Sequence, residues 1–269
     1  MFFFIVLFLA TGLSVLTYYL LGLFSQSLWY LFLLAALIVG YGLLVFGLYW
    51  LILILAAHPY KNKETKKVNM FFLFNIRLLA SLVLFTNMVF VRRKNFKSIP
   101  KEPKLILFNH VSNYDFMTLY RTMWGRYAFI GKKELMKSKV TGSLTSACGT
   151  LFVDRSNPES GRIMVDNAVD YITNKKTSVC IAPEGTRSHN GLIAPFKHGG
   201  FHIALRSKCP ITLICLKDME KASQRKHMRP VKVTLVVLET IRPEEYEGMT
   251  AGELAELCEN KYKKFLNQL

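Results

Sequence analysis

The first 60 residues lack aspartate, glutamate, lysine and arginine altogether, and Lys61 is the first formally charged side chain. Two apolar runs, Met1–Phe24 and Leu28–Ala57, fill this region, and only Ser25–Ser27 separates them. Each run is long enough to cross a bilayer core of about 30 Å, and both are too long and too apolar to be a core helix of a soluble domain. We therefore predict that residues 1–60 form a hairpin of two transmembrane helices.

The N-terminus also lacks the basic segment and the cleavage site of a secretory signal, so we expect the hairpin to be retained. The connector contains no Lys or Arg, whereas lysines follow the second run at positions 61, 63, 66 and 67. Because positive residues collect on the cytoplasmic side of membrane helices, the pattern predicts an integral membrane protein with its globular part on that side.

Cysteine is scarce, and the number and spacing of the cysteines argue against a disulfide framework and against a metal site. The five residues are an odd set without the spacing of a metal site, and three of them lie in or beside apolar runs. The cysteines are Cys148, Cys180, Cys209, Cys215 and Cys258. They are predicted to be reduced, buried thiols in a cytosolic domain.

Acidic residues are few, at 18 Asp and Glu against 35 Lys and Arg, which gives a net charge of +17. Such a balance favours acidic partners, including anionic lipid headgroups and phosphorylated ligands. A nucleic-acid binder would show the same charge. No nucleic-acid recognition motif with interleaved aromatic residues is present, however, and the membrane hairpin argues against that class, so no nucleic-acid partner is predicted.

Residues 61–98 are predicted to link the hairpin to the globular part. Met70–Val91 is apolar but contains Asn75, Arg77 and Asn87, and basic clusters flank it on both sides. A third transmembrane span would place one cluster outside, whereas a helix lying in the membrane interface keeps both on one side. The interfacial helix is favoured, and the third span stays open.

From Lys104 onward, short β-rich runs alternate with helical stretches. The alternation predicts an α/β catalytic or binding domain over residues 99–269, with its ligand site at the carboxyl ends of the strands. The predicted strands are Lys104–Phe108, Tyr127–Ile130, Thr150–Val153, Ser178–Ala182, Ile211–Leu216 and Val231–Leu238. The predicted helices are Tyr114–Trp124, Pro158–Thr173 capped by Asn157, Gly200–Ser207, and one beginning at Thr250 with a capping box through Glu253. The basic stretch Lys217–Pro230 is predicted to be a surface loop.

A histidine and an aspartate stand five residues apart in Asn109–Asp115, just after the first predicted strand of this domain. Five residues on one helix would separate them by about 140°, so the pair cannot share a helical face. A strand end followed by a turn and a helix start lets Asp115 fold back onto Nδ1–H of His110. That contact would leave Nε2 free as a general base.

Two arginines also follow predicted strands, Arg155 after Phe152-Val153 and Arg187 in Pro183–Arg187. Each offers a planar fork of donors that suits a phosphate group. Gly185 removes a side chain and lets backbone approach a ligand closely. A base and two arginines on a basic, membrane-anchored domain indicate chemistry on a phosphorylated lipid.

Four blocks occur in order: Asn109–Asp115, Gly149–Arg155, Pro183–Arg187 and Cys209–Ile211. They resemble the four ordered blocks of the glycerolipid acyltransferase family, and its bacterial 1-acylglycerol-3-phosphate acyltransferases are the most similar members. The similarity extends over Leu105–Leu216. It implies a strand–helix alternating acyltransferase domain with a mixed central sheet.

By this resemblance, His110 is the base that takes a proton from a glycerol hydroxyl as it attacks an acyl thioester, and Asp115 orients its ring. A purely structural His–Asp hydrogen bond is the alternative. Arg155 and Arg187 would hold the acceptor phosphate, although Arg155 could instead pair with Asp154 or be a surface cation.

The remaining site residues are also inferred from the resemblance. Gly185 permits close approach of the phosphate, and Thr186 lies in the same substrate-binding block. Glu184 would bind glycerol hydroxyls or orient an arginine, with hydrogen bonding to the neighbouring loop as its alternative. Lys132 would add positive charge to the pocket, or be an ordinary exposed lysine.

The implied reaction transfers a fatty acyl group to the sn-2 hydroxyl of 1-acyl-sn-glycerol-3-phosphate and forms phosphatidic acid. Acyl-CoA or acyl carrier protein would be the co-substrate and donor, the membrane lipid the acceptor and an anionic membrane surface a further partner; no metal or cofactor is expected. Another lysophospholipid or glycerol-3-phosphate is the alternative acceptor. A non-catalytic, basic, membrane-anchored binding protein is the alternative of another class.

Overall fold

The structure is a computed structural model that describes residues 2–20, 29–65, 67–138, 141–188, 192–224 and 229–267. Two compact units make up the chain, Met1–Pro59 and Tyr60–Leu269. The helices of the described residues are α1 (Phe2–Leu20), α2 (Trp29–Ala57), α3 (Met70–Thr86), α4 (Tyr114–Thr122), α5 (Thr141–Ala147), α6 (Pro158–Thr173), α7 (His202–Ser207), α8 (Met219–Gln224) and α9 (Ala251–Leu266). The strands are β1 (Val89–Lys94), β2 (Leu105–Phe108), β3 (Tyr127–Lys132), β4 (Leu151–Val153), β5 (Ser178–Ile181), β6 (Ile211–Lys217) and β7 (Val231–Ile241).

The first unit consists of α1 and α2. Small residues let the two helices approach, since a side chain built at Gly42 would begin 3.9 Å from the Ala10 Cβ. The hydroxyls of Thr17 and Tyr41 are 2.9 Å apart across the pair. Within the described residues, one helix is long and apolar enough to cross a membrane, Leu31–Tyr60 with a mean hydropathy of 2.6. The connector Ser25–Ser27 of the predicted hairpin lies outside the described residues. That α1 forms the other span of the hairpin stays a prediction.

The second unit is built on a seven-stranded mixed sheet in the order β1-β7-β6-β2-β5-β3-β4. The five strands β6, β2, β5, β3 and β4 run parallel to one another. At the other end of the sheet, β7 is antiparallel to β6, and β1 is parallel to β7. All four residues of β2 are buried, as expected for a central parallel strand covered on both faces. The predicted α/β class with a mixed sheet is confirmed.

Local sequence sets the helix boundaries closely where a cap is present. The Asn157 side chain accepts a hydrogen bond from the Glu159 N–H, and Pro158 occupies the first turn of α6. Thr250 and Glu253 form the predicted capping box of α9. The buried Tyr262 of α9 donates to the carbonyls of Leu107, at 2.7 Å, and Ile214, at 3.1 Å, which ties this helix to the centre of the sheet.

The segment that follows α2 differs from the prediction. The helix of Met70–Val91 ends at Thr86, and Val89–Lys94 is an edge strand that pairs in parallel with β7. The prediction of one continuous helix was wrong because its last residues read equally well as a β-branched strand. Both α3 and β1 belong to the second compact unit.

Three smaller boundaries also differ. The stretch Lys217–Pro230 is not a loop throughout, because α8 occupies Met219–Gln224. The helix predicted from Gly200 begins at His202 after a 3-10 turn. The short helix α5 was not predicted, because its sequence has no periodic pattern of polar residues. Gly142 allows α5 to lie against the preceding turn, since a Cβ at this position would clash with the Met136 carbonyl oxygen.

The five cysteines are buried and unpaired, which confirms the prediction of buried thiols. Burial raises the pKa of the Cys215 thiol, and likewise that of Cys258, to about 12. Neither is therefore a thiolate at neutral pH, and neither has the character of a nucleophile.

Candidate active site

The predicted site residues follow four strands that are adjacent in the sheet. His110 comes after β2, the Pro183–Arg187 block after β5, Lys132 ends β3, and Arg155 follows β4. These strands are parallel, so their carboxyl ends lie at the same edge. Neighbouring strands are about 4.8 Å apart, so the four ends extend over about 14 Å. One edge of the sheet thus carries the base and the cations.

The predicted His–Asp pair is present. His110 Nδ1 lies 2.8 Å from the Asp115 Oδ2, and the same oxygen accepts the backbone N–H of Val111 at 2.7 Å and of Ser112 at 2.8 Å. An oxygen that already accepts two N–H groups acts as an acceptor towards the ring as well, which assigns the imidazole proton to Nδ1. Nε2 of the neutral ring then carries a free lone pair.

The carboxylate of this pair is deeply enclosed. The Asp115 side chain is fully buried, whereas 15% of the His110 side chain is exposed. Burial raises the pKa of Asp115, and the hydrogen bonds from His110 and the backbone counteract part of that rise. Phe116 also supports the imidazole, with the ring centroids 5.3 Å apart in an edge-to-face arrangement. The ring is therefore held by two separate contacts.

Glu184 bonds to the backbone of the histidine loop, Asn109–Asn113, which connects β2 to α4. The residue is 2% exposed, and its two carboxylate oxygens accept the backbone N–H of His110 at 2.8 Å and of Ala194 at 3.0 Å. The alternative considered from the sequence, bonding to the backbone of a neighbouring loop, describes this geometry. Burial raises the pKa of Glu184, partly offset by these two N–H donors. A contact with glycerol hydroxyls, the other expectation, would have to compete with these bonds.

The backbone of His110 is fixed at its carbonyl as well, which accepts the Ser188 N–H at 2.8 Å. Asn109 extends the sheet past the end of β2: its amide side chain donates to the Leu216 carbonyl at 3.1 Å and accepts the Leu216 N–H at 2.7 Å. The side chain of Asn113, between the base and its carboxylate in sequence, accepts from Arg187 at 2.9 Å. Hydrogen bonds consequently join the histidine loop to the arginine loop, Pro183–Ser188.

A cavity of about 1030 Å³ opens at this edge of the sheet. His110 lines it, together with Gly185, Thr186 and apolar side chains that include Phe116 and Ile181. Among the described residues that line the cavity, six are Lys or Arg and one is acidic: Lys132, Arg155, Arg162, Arg187, Lys197, Arg206 and Asp154. The excess of positive charge suits an anionic ligand, and the apolar walls suit a hydrocarbon chain.

The two predicted arginines lie on this wall. Asp154 pairs with Lys133 at 3.6 Å and with Ser156, so the alternative salt bridge from Arg155 to Asp154 is not formed among the described residues. Partial burial lowers the pKa of the Arg155 guanidinium, which still carries its charge at neutral pH because arginine ordinarily titrates only above about 12. Lys132 is exposed and lines the same cavity.

The backbone conformation of Gly185 is one that favours glycine. Its φ is +72°, a value that L side chains rarely adopt, and its N–H donates to the Ala182 carbonyl at 3.1 Å. The turn places Thr186 and Arg187 on the cavity wall. This glycine is predicted from the sequence, whereas the basic residues of α6 and α7 on the same wall, Arg162 and Arg206, are not, because exposed arginines on helices are common.

The model of the Acyltransferase family matches residues 90–217, which include β2 to β6 and every residue of the predicted site. Over these residues, just under half of the chain, the protein is similar to the Acyltransferase family. The matched residues also include all four blocks on which the sequence resemblance was based, Asn109–Asp115, Gly149–Arg155, Pro183–Arg187 and Cys209–Ile211.

Curated relatives of this part of the chain carry one recurring name. The chain is 25% identical over 190 residues to 1-acyl-sn-glycerol-3-phosphate acyltransferase alpha of Mus musculus, covering 69% of this chain and 67% of that protein. It is 30% identical over 169 residues to 1-acyl-sn-glycerol-3-phosphate acyltransferase of Limnanthes douglasii, covering 62% and 60%. The aligned region spans between 45% and 67% of the length of the first such relatives.

A solved structure shares the fold. The 1-acyl-sn-glycerophosphate (LPA) acyltransferase PlsC from Thermotoga maritima superposes with a TM-score of 0.61 at 22% identity, covering 73% of this chain and 78% of that one. At this identity the likeness concerns the fold alone.

Proposed function

We propose that the protein transfers a fatty acyl group from an acyl thioester to the sn-2 hydroxyl of 1-acyl-sn-glycerol-3-phosphate. One observation carries the proposal: an imidazole held at Nδ1 by a buried carboxylate lines a cavity with six lysine and arginine side chains. The names of the relatives point to the same acceptor. The product is phosphatidic acid.

His110 Nε2 accepts the proton of the acceptor hydroxyl as its oxygen attacks the thioester carbonyl carbon. The tetrahedral intermediate collapses with cleavage of the carbon–sulfur bond, and the imidazolium returns its proton to the departing thiolate. Asp115 stabilises the imidazolium and keeps the ring in one orientation. General base catalysis of this kind supplies about 10²–10⁴-fold in rate.

The acceptor phosphate lies, in this proposal, against the guanidinium groups of Arg155 and Arg187, with Thr186 and Lys132 on the same wall. The Arg187 fork is oriented by Asn113, a residue of the histidine loop. Binding of the phosphate to Arg187 therefore sets the distance between the glycerol hydroxyl and His110. Orientation of this kind raises the rate by avoiding the entropy loss of a free encounter.

A panel of acceptors tests the proposal directly. The purified full chain, in mixed micelles, is offered 1-acylglycerol-3-phosphate, lysophosphatidylcholine, glycerol-3-phosphate and unphosphorylated 1-acylglycerol, each with acyl-CoA and with acyl carrier protein. Mass spectrometry of the products is expected to show phosphatidic acid as the dominant product. Preference for another acceptor would contradict the assignment of the substrate, and no acyl transfer to any of them would contradict the activity.

We also propose that α3 lies in the membrane interface with its exposed apolar face towards lipid. Phe71, Phe74 and Phe85 of α3 are exposed, and Trp124, also in the second unit, is 75% exposed with its ring under the Arg77 guanidinium of α3. Bulky exposed aromatics of this kind are typical of an interfacial surface. With Trp29 and Trp50 replaced by Phe, the fluorescence of Trp124 is expected to be quenched by brominated lipids; an unquenched Trp124 would contradict the placement.

The cytoplasmic location of the acyltransferase domain follows from the basic residues after the apolar runs and is part of the same proposal. Reporter fusions at the Ser25–Ser27 connector and at the C-terminus are expected to report opposite sides of the membrane. A cytoplasmic signal from the connector would contradict the two-span hairpin.

A further inference from the structure

We infer that Lys197 is an additional phosphate-binding residue of the site, with its side chain lying across the backbone of Gly185. The inference rests on the proposed function, because it assumes a phosphate-bearing substrate in the cavity. Lys197 lines that cavity with Arg187 and His110. Its position is unusual for an exposed lysine, since the end of its side chain lies on main chain rather than extending into solvent.

The contact is defined by what a side chain at position 185 would meet. A Cβ at Gly185 would be 2.9 Å from both the Cδ and the Cε of Lys197 and 3.1 Å from its Nζ. The end of the lysine therefore crosses the face of the glycine that a larger residue would fill. Gly185 thus has two reasons to be glycine, its positive φ and the passage of this side chain.

The segment that carries Lys197 is bonded along the same turn. The Ala194 N–H donates to Glu184 Oε2 at 3.0 Å, and the Lys197 N–H donates to the Pro183 carbonyl at 2.9 Å. A third bond, from the Phe196 N–H to Glu259 Oε2 at 2.8 Å, fixes the segment to α9. Because the other oxygen of Glu184 holds the His110 N–H, one carboxylate sets the position of the base relative to the lysine segment.

The charge of the ammonium has no counter-ion in the described part of the chain, where no carboxylate forms a salt bridge with Lys197. A lysine restrained on the same cavity wall as Arg187 repels that like charge unless an anion lies between them. A phosphate group satisfies both, with Lys197 acting as a compact charge and the arginine as a fork of donors. That phosphate belongs either to the acceptor or to the donor.

Calorimetric binding to the full chain in detergent micelles tests the inference with three probes: 1-acylglycerol-3-phosphate, unphosphorylated 1-acylglycerol and coenzyme A. Lys197→Met is expected to weaken binding of one phosphate-bearing probe by about tenfold or more, as for loss of a hydrogen bond to a charged group. The probe that weakens identifies the source of the phosphate. Unphosphorylated 1-acylglycerol should bind as it does to the wild type, and Lys197→Arg should recover most of the affinity.

The matched control is Lys264→Met, which removes an exposed lysine of α9 that does not line the cavity and should change each affinity by less than about twofold. Equal binding of both phosphate-bearing probes by Lys197→Met and wild type would overturn the inference. Phosphate-dependent binding that requires Lys197, without acyl transfer by the wild type, would instead refute the proposed reaction and leave the Lys197 site standing.

A double-mutant cycle tests the placement over Gly185. Gly185→Ala should push the lysine aside, so that removing Lys197 costs less affinity in the Gly185→Ala background than in the wild type. An equal loss in both backgrounds would contradict the contact between the two residues.

Discussion

The two sides of the cavity are built differently. On the base side, the polar groups around His110 are buried and bonded: Asp115 accepts three hydrogen bonds at one oxygen, and both oxygens of Glu184 are occupied by backbone N–H groups. On the cationic side, Arg155 and Lys132 are exposed and form no salt bridge among the described residues. The bonds on the base side therefore form within the protein, although the Asp115 Oδ1 is buried without a hydrogen-bond partner in the described part of the chain, whereas the cations on the other side are left for a ligand.

This difference separates two tasks. A base has to keep one tautomer and one orientation throughout the reaction, which a buried network provides. A binding wall gains most when its charges are left for the substrate, since a charge already paired within the protein must break that pair first. Changes on the base side should therefore alter the rate of the chemical step, whereas changes on the cationic side should alter affinity and the choice of acceptor.

The largest expected effect is on the base itself. His110→Ala removes the group that takes the proton, so kcat should fall by about 10²–10⁴-fold while the KM for the acceptor changes little. Steady-state rates with 1-acylglycerol-3-phosphate and acyl-CoA measure both quantities. Activity within about tenfold of the wild type would show that the chemical step does not use this imidazole.

Asp115→Asn should have the next largest effect, a loss of about 10²–10³-fold in kcat, because an amide can turn its NH₂ towards the ring and favour the wrong tautomer. The wild type should also lose activity in acid, because the mechanism needs both an unprotonated Nε2 at His110 and an ionised Asp115, whose pKa burial raises. A pH profile of kcat in the wild type measures this limb. A profile that stays flat down to the ordinary aspartate range, near about 4, would contradict the requirement for the carboxylate.

The cationic side should respond in affinity. Replacing Arg155 or Arg187 by Met is expected to raise the KM for the phosphorylated acceptor by about 10- to 100-fold, the range for loss of hydrogen bonds to a charged group, with a smaller change in kcat. Replacement of Arg206, whose guanidinium already pairs with Asp166 at 2.6 Å, is the matched control on the same wall and should have a weaker effect. Equal effects of all three changes would mean that the wall acts through its total charge alone.

The smallest expected effect is on stability and depends on pH. Burial raises the pKa of Glu184, so this group contributes stability below its unfolded pKa of about 4.3, and the contribution is lost as pH rises through the higher folded value. The unfolding free energy of Glu184→Gln should therefore rise relative to wild type over that interval. The expected rise is about 1.4 kcal/mol for each tenfold difference between the acid dissociation constants of this carboxyl in the folded and unfolded chain.

Glu253→Gln provides the control of opposite sign. Hydrogen bonds from Thr250 lower the pKa of Glu253, so its contribution is present above the unfolded pKa and is lost as pH falls through the lower folded value. Denaturant unfolding of the full chain in micelles at several pH values compares the two variants. The same direction of change in both would contradict the account of Glu184.

The sequence predicted those parts of the molecule that depend on local pattern. Strand–helix alternation and capping residues placed β2 to β7 and both capped helices within a few residues, and the spacing of His110 and Asp115 predicted their contact. It did not predict β1, because Val89–Lys94 becomes a strand only by pairing with β7, which lies far along the chain. Tertiary pairing of this kind leaves little local signal.

The bonding of Glu184 was harder to predict for a related reason. Its place beside Gly185 in the Pro183–Arg187 block suggests a substrate contact, yet its partners are backbone N–H groups of His110 and Ala194. Backbone donors have no sequence signature, because any residue type other than proline supplies one. Lys197 was overlooked similarly, since its proximity to Gly185 depends on how two loops are bonded together.

The division between the two sides of the cavity is tested most directly by one ratio, the kcat/KM for 1-acylglycerol-3-phosphate divided by that for unphosphorylated 1-acylglycerol. It is measured for the wild type, for Asp115→Asn and for the double variant of Arg155 and Arg187 to Met. Asp115→Asn is expected to lower both values equally and preserve the ratio, whereas the double variant should reduce the ratio by about tenfold or more while acylation of the unphosphorylated lipid continues. A ratio that falls with Asp115→Asn and is unchanged in the double arginine variant would contradict the assignment of the base to one side and the phosphate to the other.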